Sequence, residues 1–278
     1  MQIRNQNFLW GSKTYVMGIL NVTPDSFSDG GLFNSLERAI AQAIKMVEAG
    51  ATIIDIGGQS SRPGAVEISV DEELHRVLPV IKALRENSDF DAIPISIDTT
   101  RATVAEQAIA LGADIVNDIS GGTFDLEMLR IVSDLNVPIV LMHMRGKPQN
   151  MQSLTDYADV VAEVYQFLEN QIQRAIAAGI HRDKIIIDPG IGFAKNYEQN
   201  IEITRNLAIF KTLNCPILMG VSRKSFIGHI LNQPDPQQRL HGTVAACVSA
   251  IALGADIMRV HDVAEIVDAC KVADAIWR

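Results

Sequence analysis

Polar and charged side chains stand at the ends of eight short apolar segments of this 278-residue chain. These strand-end residues are Asn21, Asp55, Asp98, Asn117 with Asp118, His143, Asp188, Ser222, and Arg259 with His261. Each one alone is explained as a polar residue that marks a strand end. Eight together are harder to explain in that way, because a carboxylate buried without a partner costs free energy. A buried carboxylate can accept two adjacent N–H groups of a flat heterocycle, so Asp98 and Asp188 indicate a site for such a ring.

Basic residues that could bind an anion are few. Arg62 lies in the loop GGQSSRPGA, Lys224 in SRKS, and Arg259 in an apolar strand. Solvated surface charge is the ordinary interpretation of Lys and Arg, but a glycine-rich loop and a strand arginine suit a diphosphate. Ser222 and Ser225 stand at the start of a predicted helix, where they either cap it or mark backbone N–H groups that attract an anion.

Hard oxygen donors follow the first strand in NVTPDSFSDGG. Asn21, Asp25 and Asp29 could help to hold Mg²⁺ beside a diphosphate. Turn formation explains the same residues, and we favour that interpretation for Asp25. This loop and the loop GGQSSRPGAVEIS have the composition of mobile active-site covers without packing of their own.

The elements that must position these residues repeat as a strand followed by a helix. Apolar runs of strand length begin at Thr14, Thr52, Pro94, Asp114, Pro138, Lys184, Pro216 and Asp256. Helices are predicted over residues 36–48, with Ser35 as the cap, and over residues 100–111, 156–178 and 243–253, each ended by a glycine. Strands that are apolar on both faces belong to a parallel sheet covered by helices.

Eight such units predict an α/β fold, a (β/α)₈ TIM barrel, as a single domain over residues 1–278. An open doubly wound sheet is the alternative, but it would be expected to show a glycine-rich turn after the first strand. The chain is 47% hydrophobic and 21% charged, which is enough apolar sequence for one large core.

Composition also limits the classes of binding partner and the cellular compartment to be expected for this chain. A formal net charge of −9 argues against a nucleic-acid partner. We find no signal peptide and no apolar run of membrane-spanning length, so no membrane association is expected. The three cysteines form no CxxC pair, which is typical of free thiols in a reducing compartment, and we expect a cytoplasmic protein.

Taken in order, the motifs resemble the dihydropteroate synthase family from about Val16 to His261. The most specific piece is MGILNVTPDSFSDGG, and IDIGGQSSRPGA, SIDT, VNDISGG, DPGIGF, SRKS and RVHDV follow it. The resemblance implies a homodimeric, Mg²⁺-dependent enzyme of folate biosynthesis that sulfonamides inhibit. Such an enzyme joins a hydroxymethyl-dihydropterin diphosphate to para-aminobenzoate and releases diphosphate.

The resemblance also implies roles for individual residues. Asn21 would bind Mg²⁺. The pterin would be bound by Asp98, Asn117, Asp188 and Lys224, with Arg259 against its ring. The diphosphate would be held by Ser61, Arg259 and His261. The aminobenzoate would be surrounded by Arg62, Pro63, Phe193, Lys224 and Ser225, with Phe27 and Asp29 closing over it. The catalytic residues among these would be Asp98, Lys224, Arg259 and His261.

Three positions depart from the pattern of the family. GGQSSRPG stands where the family usually has GGESTRPG, so Ser61 keeps a hydroxyl but the role of Gln59 is left open. Ala194 replaces the usual glycine in GFAK, and we therefore expect an ordinary backbone conformation at that residue.

The chemistry implied by the resemblance needs no strong base, because an aromatic amine is neutral at pH 7. Departure of the diphosphate is the difficult step, and Mg²⁺, Arg259 and His261 would stabilise its charge, along a dissociative route. One alternative is a methyltetrahydrofolate-dependent corrinoid methyltransferase, which needs no diphosphate site. Others are a catalytically idle pterin-binding protein and an aldolase, although Lys224 lies beyond the seventh strand, where a Schiff-base lysine is not expected.

Overall fold

The computed structural model describes residues 1–23 and 32–278, with the side chains of residues 32–35 left out. The strands of these ranges are β1 (Gln2–Ile3), β2 (Gln6–Asn7), β3 (Tyr15–Asn21), β4 (Ile53–Gly57), β5 (Ile95–Asp98), β6 (Ile115–Asp118), β7 (Ile139–Met142), β8 (Ile185–Asp188), β9 (Leu218–Met219) and β10 (Ile257–Val260). The helices are α1 (Leu32–Glu48), α2 (Val70–Arg85), α3 (Ala102–Ala110), α4 (Met128–Leu135), α5 (Val160–Ala177), α6 (Tyr197–Arg205), α7 (Ser225–Leu231), α8 (Leu240–Ala252) and α9 (Val263–Trp277). The eight predicted strands are confirmed as β3 to β10.

Strands β3 to β10 form one parallel sheet in the spatial order β8-β7-β6-β5-β4-β3-β10-β9. The two outer strands of that order meet through a parallel bridge between Ile187 and Ile217. The backbone N–H of Ile187 also donates to the carbonyl of Pro216 at 2.9 Å. The sheet therefore closes on itself with helices around it, and the predicted (β/α)₈ barrel is confirmed.

The alternation of side chains along the strands divides the core into two layers. Inside the barrel lies an apolar cluster from the first half of the strands and from the β1–β2 hairpin: Ile3, Phe8, Tyr15, Met17, Ile53, Ile115, Val140, Ile186, Leu218 and Ile257. Residues of the opposite parity, such as Ile54, Ile56 and Val116, pack outward against the helices. Since the apolar cluster fills the lower barrel, the inward positions further along each strand are left for polar groups at the mouth.

The hairpin of β1 and β2 supplies the part of this inner cluster that the sequence did not predict. Phe8 is 1% exposed, and its ring centroid lies 4.5 Å from that of Tyr15 at the start of β3. Each hairpin strand has only two residues, which is too short to leave a periodic pattern. The hairpin thus covers the end of the barrel opposite the mouth.

Helix ends follow the predicted glycine pattern. Glycines 50, 112, 179 and 254 all have φ between 99° and 108°, the left-handed conformation that stops a helix without a steric penalty. The predicted start of the first helix is wrong, because α1 begins at Leu32 and Ser35 lies inside it. No Gly or Pro interrupts residues 32–35, so the helix extends past the expected cap. Among the described residues, none of the helices is long and apolar enough to cross a membrane.

We expect Phe8→Ala to lower the free energy of unfolding by about 3–5 kcal/mol, because it leaves a cavity in the inner cluster. The neighbouring Leu9 is 65% exposed and provides the matched control. Leu9→Ala should change stability by less than about 0.5 kcal/mol. Urea denaturation of both variants measures the difference, and equal stabilities would show that the hairpin does not close the barrel core.

Candidate active site

One register row runs across four neighbouring strands at the mouth of the barrel. Asn21 pairs with Gly57, Gly57 with Asp98, and Asp98 with Asn117. A Cβ placed on Gly57 would lie 3.6 Å from Asp98 Oδ2 and 3.8 Å from Asn21 Oδ1. Because side chains alternate along a strand, the row explains how residues far apart in sequence share one surface.

Arg259 connects this row to a fully buried carboxylate one level below it. Its Nε donates to Asp55 Oδ2 at 2.6 Å, and its Nη2 donates to Asp98 Oδ2 at 2.5 Å. Asn117 Nδ2 donates to the same Asp55 oxygen at 3.1 Å. One guanidinium thus serves two carboxylates, which leaves an excess of negative charge in a buried place.

Burial changes the protonation of the groups around this network. It raises the pKa of Asp98 to about 7, although the Arg259 guanidinium favours the charged form. It also raises the pKa of Asp188, against the opposing effect of the Gly190 N–H, which donates to Asp188 Oδ1 at 2.7 Å. Carboxylates whose charge is this costly gain most from a ligand that brings N–H donors.

Lys224 and Phe193 form the wall of the mouth on the side of β8 and β9. Lys224 Nζ lies 4.3 Å from the centroid of the Phe193 ring, within the range of a cation–π contact. A Cβ on Gly192, whose φ is +83°, would come within 2.9 Å of Lys224 Cδ. Burial lowers the pKa of Lys224 to about 8, against the opposing effect of Asp188. Ser225 is the first residue of α7, directly after this lysine.

His261 directly follows β10, and Ser222 comes from the segment after the neighbouring strand β9. Ser222 Oγ is 3.1 Å from His261 Nδ1 and accepts the backbone N–H of His261 at 3.2 Å. Burial, with the nearby charges of Arg223 and Arg259, lowers the pKa of His261 to about 4. The imidazole is therefore neutral at pH 7, and a bound anion would favour its charged form.

The second loop contributes one of its three predicted residues to the wall of the mouth. Ser61 lines a cleft together with Asp98 and Thr99. Arg62 and Pro63 are exposed, so their predicted contact with an aminobenzoate stays a prediction. Phe27 and Asp29 lie outside the described residues, and so does Asp25.

Gln59 now has a structural role, which the sequence left open. Its Oε1 accepts the backbone N–H of Ile68 at 3.1 Å, and its Nε2 donates to the carbonyl of Val66 at 3.2 Å. A glutamate could make only the first of these bonds, since an ionised carboxylate has no donor. Gly64 N also donates to the Pro148 carbonyl at 3.0 Å. The loop thus has hydrogen bonds that its composition did not indicate, and its mobility stays a prediction.

The expectation of an ordinary backbone at Ala194 is wrong. Its φ is +49°, in the left-handed region, and the residue is fully buried. The chain must turn there because the carbonyl of Phe193, just before it, is bound by the Nζ of Lys195, just after it, at 2.9 Å. The position thus keeps a glycine-like conformation without a glycine, at a cost of about 1 kcal/mol or more.

Two of the strand-end residues point away from the mouth. Asp118 is buried and accepts the backbone N–H groups of Ser120 and Gly122, both at 2.8 Å. His143 lies against the edge of Phe167, with ring centroids 4.9 Å apart. Asp118 therefore organises the loop after its strand, and not all eight strand ends serve the mouth. Asp55 is the opposite case, a mouth residue to which the sequence assigned no role.

Comparison with known proteins agrees with this geometry. The family model described as "Pterin binding enzyme" matches residues 17–261. The dihydropteroate synthase of Synechocystis is 60% identical over 98% of this chain and 93% of its own length. The Yersinia pestis dihydropteroate synthase structure, a sulfonamide drug complex, has a TM-score of 0.92 at 44% identity and covers 99% of this chain and 98% of its own. The Xanthomonas albilineans enzyme in complex with 7,8-dihydropteroate has a TM-score of 0.85 at 42% identity and covers 95% of this chain and 94% of its own.

We expect the affinity for a pterin to rise as the pH increases through about 7, because Asp98 must ionise before it can accept two N–H donors. Below that pKa the affinity should fall by up to about tenfold per pH unit. Calorimetric titration with a pterin between about pH 6 and pH 8 measures the slope.

Asp98→Asn keeps the shape of the side chain but cannot ionise, so it should bind weakly and with a shallower slope. Asp268→Asn, a substitution of an exposed carboxyl group on α9, is the control and should follow the unchanged protein. The assignment of Asp98 fails if the slope is the same with and without its carboxyl group.

Proposed function

This chain belongs to the dihydropteroate synthase family of pterin-binding enzymes, and we propose that the residues at its barrel mouth divide the work of that transferase reaction. The reaction joins hydroxymethyl-dihydropterin diphosphate to para-aminobenzoate and releases diphosphate. The observation that supports this assignment of residues is the buried network in which Arg259 bridges Asp55 and Asp98. In the proposal, Arg259 is the cation for the diphosphate, and Asp98 directly beside it is the acceptor for the heterocycle.

In the proposal, residues at the ends of β5, β6 and β8 bind the pterin. Asp98 and Asp188 are buried acceptors, and Asn117 lies between them along the barrel with its amide held by Asp55. A pterin that donates N–H groups to both carboxylates would replace solvation that burial has removed. The negative charge of these groups also favours the positive charge that develops on the pterin methylene as the diphosphate leaves.

In the proposal, Arg259 and His261 assist the departure of the diphosphate. Arg259 lies between the carboxylates and His261, and both residues come from β10 or the position just after it. His261 is neutral in the free protein, so binding of the diphosphate would draw a proton onto its ring and add a second cation. Ser61 supplies a hydroxyl from the second loop.

A Mg²⁺ ion fits the donor set at this side of the mouth. In the part of the chain that the structure describes, no group of three or more His, Cys, Asp and Glu side chains could hold a metal alone. Asn21 ends β3 beside Asp98 and offers one hard oxygen. Mg²⁺ in proteins often uses one or two side-chain oxygens together with substrate phosphates. Such an ion, when bound, would neutralise part of the charge of the leaving diphosphate.

The aminobenzoate would approach along Phe193 and Lys224. The ring of Phe193 offers a flat apolar surface, and the first turn of α7 at Ser225 offers backbone N–H groups for a carboxylate. The amine needs no general base to become a nucleophile, so Lys224 acts by binding and orientation. Arg62, Pro63, Phe27 and Asp29 complete this pocket in the proposal.

The alternative functions lack comparable support. The Synechocystis relative at 60% identity is a dihydropteroate synthase, and neither a corrinoid methyltransferase nor an idle pterin-binding protein is favoured. A cytoplasmic location is part of the proposal, supported by three buried free thiols at Cys215, Cys247 and Cys270. The net charge of −9 supports small-molecule substrates over nucleic acid as partners.

Mixing the two substrates with Mg²⁺ should release one diphosphate for each dihydropteroate formed, and omission of para-aminobenzoate should stop both. Chromatography of the product together with a coupled diphosphate assay measures this stoichiometry. A protein that binds the pterin but forms no dihydropteroate would have to be reassigned as a binding protein.

Excess chelator should abolish the same activity, because Arg259 and His261 alone do not balance the charge of the diphosphate. Asn21→Ala should raise the Mg²⁺ concentration needed for half-maximal rate by about tenfold, which corresponds to about 1.4 kcal/mol. Full activity in chelator would remove Mg²⁺ from the proposal and leave the reaction itself in place.

We also propose a homodimer through the face formed by α7, α8 and α9. Exposed apolar side chains on α7 and α9 are Ile230, Leu231, Val272, Ile276 and Trp277. The long helices α8 and α9 pack against each other, so these side chains belong to one side of the barrel. Several large apolar side chains exposed on one side of a monomer are typical of an interface.

Sedimentation should show a dimer that Ile276→Asp converts to a monomer, because the substitution places a charge in an apolar contact. Leu126 is equally apolar and exposed but lies in the loop before α4, so Leu126→Asp should leave the dimer intact. A monomer in the unchanged protein would disprove this assembly.

A further inference from the structure

Lys195 is a buried lysine that the proposed mechanism does not use. It is 2% exposed, and none of the ion pairs formed by the described residues includes it. Its Nζ instead lies 2.9 Å from each of three atoms: the carbonyl oxygens of Gly190 and Phe193 and Nδ1 of His143. Burial of an amine without an ion pair is costly, so the contacts that it makes must offset that cost.

The two carbonyls belong to the ends of one short segment, residues 190–193. Both are acceptors only, so the N–H groups of Lys195 must donate to each. The Phe193 N–H also donates to the Gly190 carbonyl at 3.1 Å, which folds the segment into a turn around the lysine. Lys195 therefore fixes the distance between the first and the last peptide of this turn.

Each end of the turn carries a group of the candidate active site. At one end, the Gly190 N–H donates to Asp188 Oδ1 at 2.7 Å, which orients that carboxylate. At the other end, the ring of Phe193 lies under Lys224 Nζ at 4.3 Å. A shift of the turn would move the acceptor for the pterin and the wall of the aminobenzoate pocket together.

The turn is held under strain. Ala194 has a φ of +49°, and a residue with a side chain persists in that conformation only when its surroundings determine it. On the β7 side the fit is close, since a Cβ on Gly190 would lie 1.9 Å from the His143 carbonyl oxygen. Asn200 Oδ1 accepts the Gly192 N–H at 2.6 Å from the α6 side.

We propose that Lys195 is a positioning residue: together with His143, it holds the strained turn of residues 190–193 so that Asp188 and Phe193 face their two substrates at once. The identity of those substrates rests on the proposed function, whereas the restraint on the turn does not. Without the donors of Lys195, the turn relaxes at Ala194 and carries Phe193 out of register with Asp188.

Lys195→Met keeps the length and volume of the side chain but removes its donors. We expect the KM values for both substrates to rise and kcat/KM to fall by about 10- to 100-fold, because misplacement of about 1 Å costs up to about 100-fold in rate. Lys184→Met is the matched control. Lys184 lies directly before the first residue of β8, at the end of the strand away from the mouth. Its Nζ donates to Asn136 Oδ1 at 2.6 Å, and removal of this bond should leave both KM values unchanged.

Ala194→Gly separates positioning from simple loss of stability. Glycine adopts a positive φ without strain, so the double variant Ala194→Gly/Lys195→Met should recover much of the lost kcat/KM. Unchanged KM values in folded Lys195→Met, or a double variant no better than Lys195→Met, would overturn the proposal.

Amide hydrogen exchange tests the restraint without any substrate. Lys195→Met should speed exchange in peptides that cover residues 189–194, while peptides from β5 stay as in the unchanged protein. Slow exchange of the turn in Lys195→Met would refute the inference even if the chain proves to be an active synthase. Absence of activity in the unchanged protein would refute the proposed function and leave this result to stand.

Discussion

The mouth of the barrel depends on a shortage of positive charge, because the single guanidinium of Arg259 serves both Asp55 and Asp98. Burial raises the pKa of Asp98 to about 7 against the opposing effect of Arg259, and the charge of the second carboxylate, Asp55, adds to the rise. Because of the same shortage, a bound ligand changes the interactions of these charged groups. A ligand with N–H donors relieves Asp98, and an anion beside Arg259 competes with the carboxylates for it. In the proposed function, the pterin and the diphosphate would each satisfy a different part of this network. Asp55 has no such freedom, since it is fully buried and also fixes the amide of Asn117.

Local charge at the mouth differs from the charge of the whole chain. The formal net charge is −9, yet Arg259, Lys224 and His261 are gathered around the acceptors. Burial favours the uncharged form of two of these three groups, since it lowers the pKa of Lys224 to about 8 and that of His261 to about 4. The charge of both groups therefore depends on what is bound. In the proposal, recognition of the diphosphate would depend on a few groups whose ionisation is coupled to ligands, because the net negative charge of the whole chain repels anions.

The sequence was sufficient to predict those structural features that depend only on residues close together in the chain. Apolar runs and left-handed glycines are local, and they predicted the eight barrel strands and the helix stops. Asp98, Asn117 and Asp188 were identified as strand-end residues and do line the mouth; their contacts with a pterin stay a prediction. Asp55 was named as a strand-end residue, but its role was missed because that role appears only through cross-strand register. Its position two residues before Gly57 does indicate that both residues face the same side of the sheet. Lys195 left no signal, since its partners are backbone carbonyls. The expected backbone conformation of Ala194 was wrong because the contacts around the residue, and not its own preference, decide its φ. The single-domain assignment stays a prediction.

The hairpin that closes the far end of the barrel affects how this protein can evolve. The mouth lowers stability through its unbalanced carboxylates and its left-handed alanine, while the apolar cluster around Phe8 and Tyr15 at the opposite end adds stability. A protein tolerates new substitutions to the extent that its free energy of unfolding exceeds the minimum needed for function. Tighter packing beneath the barrel would thus widen the set of mouth variants that still fold, including variants that bind altered pterins or exclude competing ligands.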